Sequence, residues 1–124
     1  MSMCKMLLSI NPEHVDKILT GEKKFEYRKV RCRSDVKKIV IYATHPTMQV
    51  VGEVDILDII EDAPDKVWEK TFEYAGITRQ YYEKYYDGKK KAVAYKLGGI
   101  EKYENSIPLS ELGVNSAPQS FIYL

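Results

Sequence analysis

The chain has few of the residues that mark several functional classes. It has two cysteines, Cys4 and Cys32, which cannot form the dense disulfide framework of a small secreted scaffold. Both thiols are expected reduced, in a cytoplasmic protein. It has two histidines, His14 and His45, far from each other and from a cysteine pair, so no metal-ligand spacing exists and neither a metal nor another cofactor is expected. No apolar run approaches the ~18–20 residues of a membrane span, so no membrane association is expected. The first ten residues lack a small-residue cleavage site and read as a strand, not a signal peptide. There is no internal repeat, low-complexity segment or linker. The net charge is only +1, which argues against an indiscriminate nucleic-acid coat protein.

What is present is a chain of 124 residues, 44% hydrophobic, enough for one domain (1–124) with an ordinary core. The small net charge conceals an asymmetry. Residues 22–38 carry eight basic and three acidic side chains, a net +5. Residues 51–76 carry eight acidic and two basic ones, a net −6. A basic side could attract phosphate, though lysines on an edge strand also serve simply to keep it solvated.

The pattern of elements is mixed. Residues 6–10 read as a strand. Asn11-Pro12-Glu13 then starts a helix: an Asn cap, Pro in the first turn and an acid near the positive end of the dipole. Val15, Ile18 and Leu19 form its apolar stripe, and Gly21 ends it at positive φ. Strands are expected at 24–30, 37–44 and 49–60, the last with Gly52 as a bulge or bend. Asp62 caps a second helix ending at Gly76. Thr78 caps a third, carrying Tyr81, Tyr82, Tyr85 and Tyr86 as packing residues. Strands at 91–97 and 103–109 flank a Gly98-Gly99 turn, and a last strand covers 119–124. This order argues a mixed α+β domain on a small, curved barrel.

The stretch from Gly21 to Arg28 carries the most chemistry. A strand has a side-chain period of two, so Phe25 and Tyr27 face one way and Glu26 and Arg28 the other. With the aromatic pair on the core, the charged pair lines a cleft beside Lys23. A fixed carboxylate and guanidinium next to an ammonium suit a polar ligand with donors and acceptors, such as a nucleobase or nucleotide.

The string Leu8-Ser9-Ile10-Asn11-Pro12, a short helix, then Gly21-x-Lys23-x-x-Glu26-x-Arg28 resembles the ASCH domain of the PUA-like superfamily. Tyr42-Ala43-Thr44, Val51-Gly52-Glu53-Val54, Tyr85-Tyr86-Asp87-Gly88 and Pro118-Gln119-Ser120-Phe121 extend the similarity over nearly the whole chain. The resemblance implies a PUA-like β-barrel of five to six strands with helices packed over its openings. It implies a cleft lined by the motif and binding of RNA or a modified nucleotide there. Lys23, Glu26 and Arg28 are the expected contacts, with Thr44, Gln119 and Ser120 in second rank. One subset of the family removes the acetyl group from N4-acetylcytidine, using a lysine after the glycine, a threonine three residues on and a helical-region glutamate. Lys23 matches the lysine and is the catalytic candidate. Glu26 stands at the threonine's position, and Ala75, with Glu73 close by, stands near the glutamate's. Other family members have been proposed to cleave RNA. The reading is an RNA- or modified-nucleotide-binding module first, and an amidohydrolase of an acylated base second. A regulatory protein-interaction module comes third, since Lys29, Arg31 and Arg33 also suit docking to a protein partner.

Overall fold

A computed structural model describes residues 4–124. Nine regular elements follow in chain order: β1 (Cys4–Ile10), α1 (Pro12–Leu19), β2 (Phe25–Arg28), β3 (Val36–Ala43), β4 (Gln49–Asp62), α2 (Pro64–Thr71), α3 (Arg79–Tyr85), β5 (Ala92–Ile107) and β6 (Phe121–Tyr123). Short 3₁₀ turns cover Phe72–Tyr74 and Leu109–Leu112. The strands form one mixed sheet in the order β2-β5-β4-β3-β1-β6. The β1–β3 pair is parallel, and β1–β6, β2–β5, β3–β4 and β4–β5 are antiparallel.

The sheet curls into an α+β half-barrel. Its curl shows in one hydrogen bond: Arg28 Nη2, on edge strand β2, donates to Ser9 O on β1 at 2.7 Å, although three strands separate the two in the sheet order. Gly52 supplies part of the bend. The β3–β4 register shifts between Ile41 and Tyr42, and the β4–β5 register between Val50 and Gly52. A Cβ at Gly52 would sit 2.5 Å from Glu101 O, so only glycine lets the two backbones close up there.

Alternation sorts the core into layers. Met6, Leu8 and Ile10 of β1, with Ile39 and Ile41 of β3 and Tyr95 of β5, fill the inside of the curl, where Val15 and Ile18 of α1 join them. Phe25 and Tyr27 of β2 point outward with Ala92 and Ala94 of β5, and are covered by Val67, Ala75, Tyr82 and Tyr86. Leu7, Val40, Tyr42 and Val50 form a third cluster under the C-terminal segment. Residues 6–8 of β1 and 39–43 of β3 are thus buried on both faces, which matches the unbroken apolar run Ile39-Val40-Ile41-Tyr42-Ala43.

The helix starts follow their local chemistry. Asn11 accepts from Glu13 N at 3.2 Å, Pro12 opens α1, and Gly21 has φ +82. Thr78 accepts from Tyr81 N at 3.1 Å and caps α3. Elsewhere tertiary packing changes the local expectation. The second helix breaks after Thr71 into a 3₁₀ turn, and its N-cap is Ala63, because Asp62 ends β4 and its Oδ1 accepts from Ala63 N. Gly98-Gly99 is no turn: β5 runs unbroken through it. Both glycines are sites of close cross-strand approach. A Cβ at Gly98 would lie 2.6 Å from Leu57 Cδ2, and one at Gly99 2.9 Å from Asp55 Oδ2. The last strand is also shorter than residues 119–124, starting at Phe121.

Candidate functional site

The cleft forms where the first turn of α1, the strand β2 and the start of α3 meet. It has a volume of 170 Å³ and is lined by Asn11, His14, Lys23, Glu26, Tyr27, Arg28, Ile77, Tyr81 and Tyr85, with Ile10 at its base. At ~30 Å³ per water, that is room for about five or six waters, the scale of one nucleobase and not of an oligonucleotide.

Three of the six residues expected at the site meet here. Glu26 Oε2 accepts from Arg28 Nη2 at 2.7 Å and from Arg28 Nε at 3.0 Å. Lys23 Nζ lies 3.9 Å from Glu26 Oε1, so the carboxylate sits between two cations. A guanidinium has five N–H donors. Glu26 and Ser9 engage those on Nε and Nη2, which leaves the two on Nη1 without a partner among the described residues. Thr44, Gln119 and Ser120 do not line this cleft. Thr44 N donates to Ile10 O at 3.0 Å at the end of β3, and Gln119 and Ser120 lie exposed before β6.

Lys23 is 2% exposed. Its Nζ donates to Ala75 O at 2.7 Å and stands 4.9 Å from the Tyr27 ring centroid. The aliphatic stem runs against Gly76, which has φ +70; a Cβ there would be 2.6 Å from Lys23 Cβ and Cγ. Burial pushes the ammonium down from 10.5 to about 8, although Glu26 opposes the shift. Desolvation therefore outweighs the carboxylate, and the ammonium gives up its proton from about 8 instead of 10.5.

His14 is the residue that sequence reasoning passed over. It sits in the first turn of α1, edge-on to Tyr81 with ring centroids 5.5 Å apart. Its Nδ1 is buried without a hydrogen-bond partner among the described residues. Burial and the nearby Lys23 charge lower its pKa from 6.5, with Glu26 opposing, so the imidazole is neutral at pH 7. The sequence signal was its place three residues after the Asn11 cap, on the turn facing the motif strand. Tyr85, half-buried beside it, carries the Lys29 ammonium 4.4 Å from its ring centroid. Tyr82 and Tyr86 pack inward, and Trp68 packs on Tyr82. Glu73 faces a different pocket, and the acceptor that this segment offers Lys23 Nζ is the Ala75 carbonyl. Among the described residues no cluster of three His, Cys, Asp or Glu side chains could hold a metal ion, and no helix is long and apolar enough to cross a membrane.

The arrangement offers a carboxylate acceptor, cationic donors from Arg28 and Lys23, a neutral imidazole and two tyrosine rings in one small space. Comparison with known proteins gives this geometry a context. The family model for the ASCH domain matches residues 8–104. An "ASCH domain-containing ribonuclease" of Zymomonas mobilis is 29% identical over 122 residues, spanning 95% of this chain and 82% of that protein. The crystal structure of ASCH from Zymomonas mobilis matches with a TM-score of 0.85 and 28% identity, over 97% of this chain and 87% of that one. Ribosomal protein uL22 of Ureaplasma parvum is 31% identical over 120 residues, 96% of this chain but only 39% of that protein. An ATP synthase subunit alpha from the same organism is matched over only 15% of its length.

Proposed function

The chain belongs to the ASCH domain family, and from that premise we propose that it binds single-stranded RNA, receiving one nucleotide or modified base in the cleft of Lys23, Glu26 and Arg28. The observation that carries this is the carboxylate–guanidinium pair fixed at 2.7 Å inside a space sized for one base. Glu26 is the acceptor for a base amino group. The Nη1 donors of Arg28 take a phosphate or a carbonyl, and Tyr81 and Tyr85 supply ring faces for the base. The ribonuclease name of the Zymomonas relative supports an RNA ligand.

Titration of labelled single-stranded RNA at two ionic strengths tests the reading. Affinity falls with salt, with a slope of about −0.7 per phosphate neutralised. Arg28→Ala removes most of the binding, and Arg28→Lys restores little of it, because a lysine lacks the fork that holds Glu26 and the ligand together. No binding at low salt, or binding indifferent to salt, refutes the proposal.

A second reading, cleavage of the bound strand, is favoured by Lys23 with its pKa near 8 beside a neutral His14. Two such groups in one cleft suit general acid–base transfer of the attacking and leaving protons. Deacetylation of N4-acetylcytidine is disfavoured by the charges. Glu26 would repel a developing oxyanion where a threonine hydroxyl would not, and each missing stabilising group costs about 3 kcal/mol. Acetate release is expected absent or far slower than ~1 per second. Faster turnover, abolished by Lys23→Ala, would make the protein an amidohydrolase.

A further inference from the structure

A second and larger concavity, of 640 Å³, lies across the Lys23–Lys24 segment from the cleft. Lys23 lines both spaces. The wall between them is the segment Tyr74–Gly76, pinned by Lys24 N donating to Tyr74 O at 2.9 Å and by Lys23 Nζ donating to Ala75 O. The pocket floor is Phe25, Leu97 and Gly98. Around it stand four large apolar side chains that the fold leaves open to water: Leu57 at 62%, Phe72 at 53%, Tyr74 at 48% and Ile100 at 39% exposure. Gathering that much exposed apolar surface at one place marks a binding surface.

Its polar rim narrows the occupant. Lys24, Lys70 and Lys96 line the pocket, against the carboxylates Glu69 and Glu73. Lys24 Nζ stands 4.4 Å from the Tyr74 ring centroid. Lys70 reaches Asp62 only at 3.8 Å, and Lys96 has no ion-pair partner among the described residues. An apolar peptide would cover these ammoniums without pairing them, at a desolvation cost. A nucleic-acid strand meets both needs, with ring faces for the aromatics and phosphates for the lysines.

We propose that this pocket is a second nucleotide subsite on the same strand: with one nucleotide in the cleft, a neighbouring base stacks on Phe72 and Tyr74, and its phosphates lie toward Lys24 and Lys96. The proposal rests on the RNA reading of the cleft and extends it from one nucleotide to at least two. Phe72 carries the larger share of the stacking, since one face of Tyr74 already meets Lys24.

Two probes separate the subsites: cytidine 5′-monophosphate, and a labelled oligouridylate of ~8 nucleotides, within the site sizes of small single-strand binders. In the double variant Phe72→Ala/Tyr74→Ala, oligonucleotide affinity falls about tenfold or more, as loss of a base stack requires, while mononucleotide affinity holds. In Lys24→Ala/Lys96→Ala the slope of log affinity against log salt shrinks by about 1.4, or ~0.7 for each phosphate that is no longer neutralised. Unchanged oligonucleotide affinity in the aromatic variant, with Arg28→Ala still abolishing binding, overturns the subsite and leaves the RNA reading intact. Equal weakening of both probes in the aromatic variant assigns Phe72 and Tyr74 to support of the cleft wall and also overturns it. A wild-type protein that binds neither probe overturns both readings together.

Discussion

Lys23 gives the protein a stability that rises with pH where most proteins lose it. An unfolded lysine keeps its proton up to 10.5, whereas the folded chain releases it from about 8. Between those values the unfolded state holds more protons, so raising the pH favours the folded state. Below pH 8 both states are charged, and the folded state bears the whole cost of the buried ammonium. A shift of about 2.5 units at 1.36 kcal/mol each makes that cost roughly 3 kcal/mol. The side chain is 2% exposed, so solvent screening does not reduce it. About 2 kcal/mol of it is relieved between pH 7 and pH 9.5, where the folded and unfolded lysines differ in charge.

The assay is urea unfolding at a series of pH values for the wild type and for Lys23→Met. The difference between the two cancels other titrations. The chief of these are the buried tyrosines. Tyr27 is pushed up to about 12, and Tyr82, Tyr86, Tyr95 and Tyr103 are also raised by burial; they subtract stability above pH 10. Arg28 still holds Glu26 in the methionine variant, so that carboxylate keeps a partner. The wild-type stability minus that of Lys23→Met should rise by about 2 kcal/mol across this range. A difference flat to within ~0.5 kcal/mol, or falling with pH, would refute the claim that burial outweighs the pull of Glu26.

Two further outcomes test the neighbours of Lys23. Gly76→Ala adds a Cβ 2.6 Å from the Lys23 stem at φ +70, and should destabilise the protein by more than ~1 kcal/mol in the same unfolding assay, whereas Gly88→Ala, with φ +74 but open space, costs less. His14→Phe deletes a buried unpaired nitrogen, so stability stays within ~1 kcal/mol of the wild type or rises. The same variant should weaken RNA binding several-fold if a ligand satisfies that nitrogen; loss of stability with unchanged binding would show that His14 serves only the fold.

What the sequence disclosed was local. The period of two in Phe25-Glu26-Tyr27-Arg28 set Phe25 and Tyr27 against the helices and Glu26 and Arg28 on the opposite face, although Tyr27 also borders the cleft. Asn11, Thr78 and Gly21 announced their caps because each acts within a few residues. What stayed hidden depends on chain segments far apart. Lys23 reads as a loop lysine until Ala75, 52 residues on, folds over it. Gly98-Gly99 reads as a turn until Leu57 and Asp55 arrive across the sheet to use the space. His14 looks incidental until α1 sets it against Tyr81 beside the motif strand.

These distant contacts also decide what the cleft's charges can do. Arg28 is tied to Ser9 O on one side and to Glu26 on the other, so the carboxylate is fixed by a residue that itself closes the curl of the sheet. Moving Glu26 would mean breaking two hydrogen bonds from Arg28, at 2.7 and 3.0 Å, within a largely buried site. A carboxylate held so firmly beside Lys23 raises that lysine's proton affinity and keeps most of it charged at pH 7, with burial pulling the other way. A bound phosphate would add a second anion and raise that affinity further. Ligand binding should therefore take up protons near pH 8, and affinity for a nucleotide should fall as the pH rises through that value. Binding titrations in buffers of different ionisation enthalpy measure the uptake directly. Proton release on binding, or no exchange at all near pH 8, would place the phosphate away from Lys23.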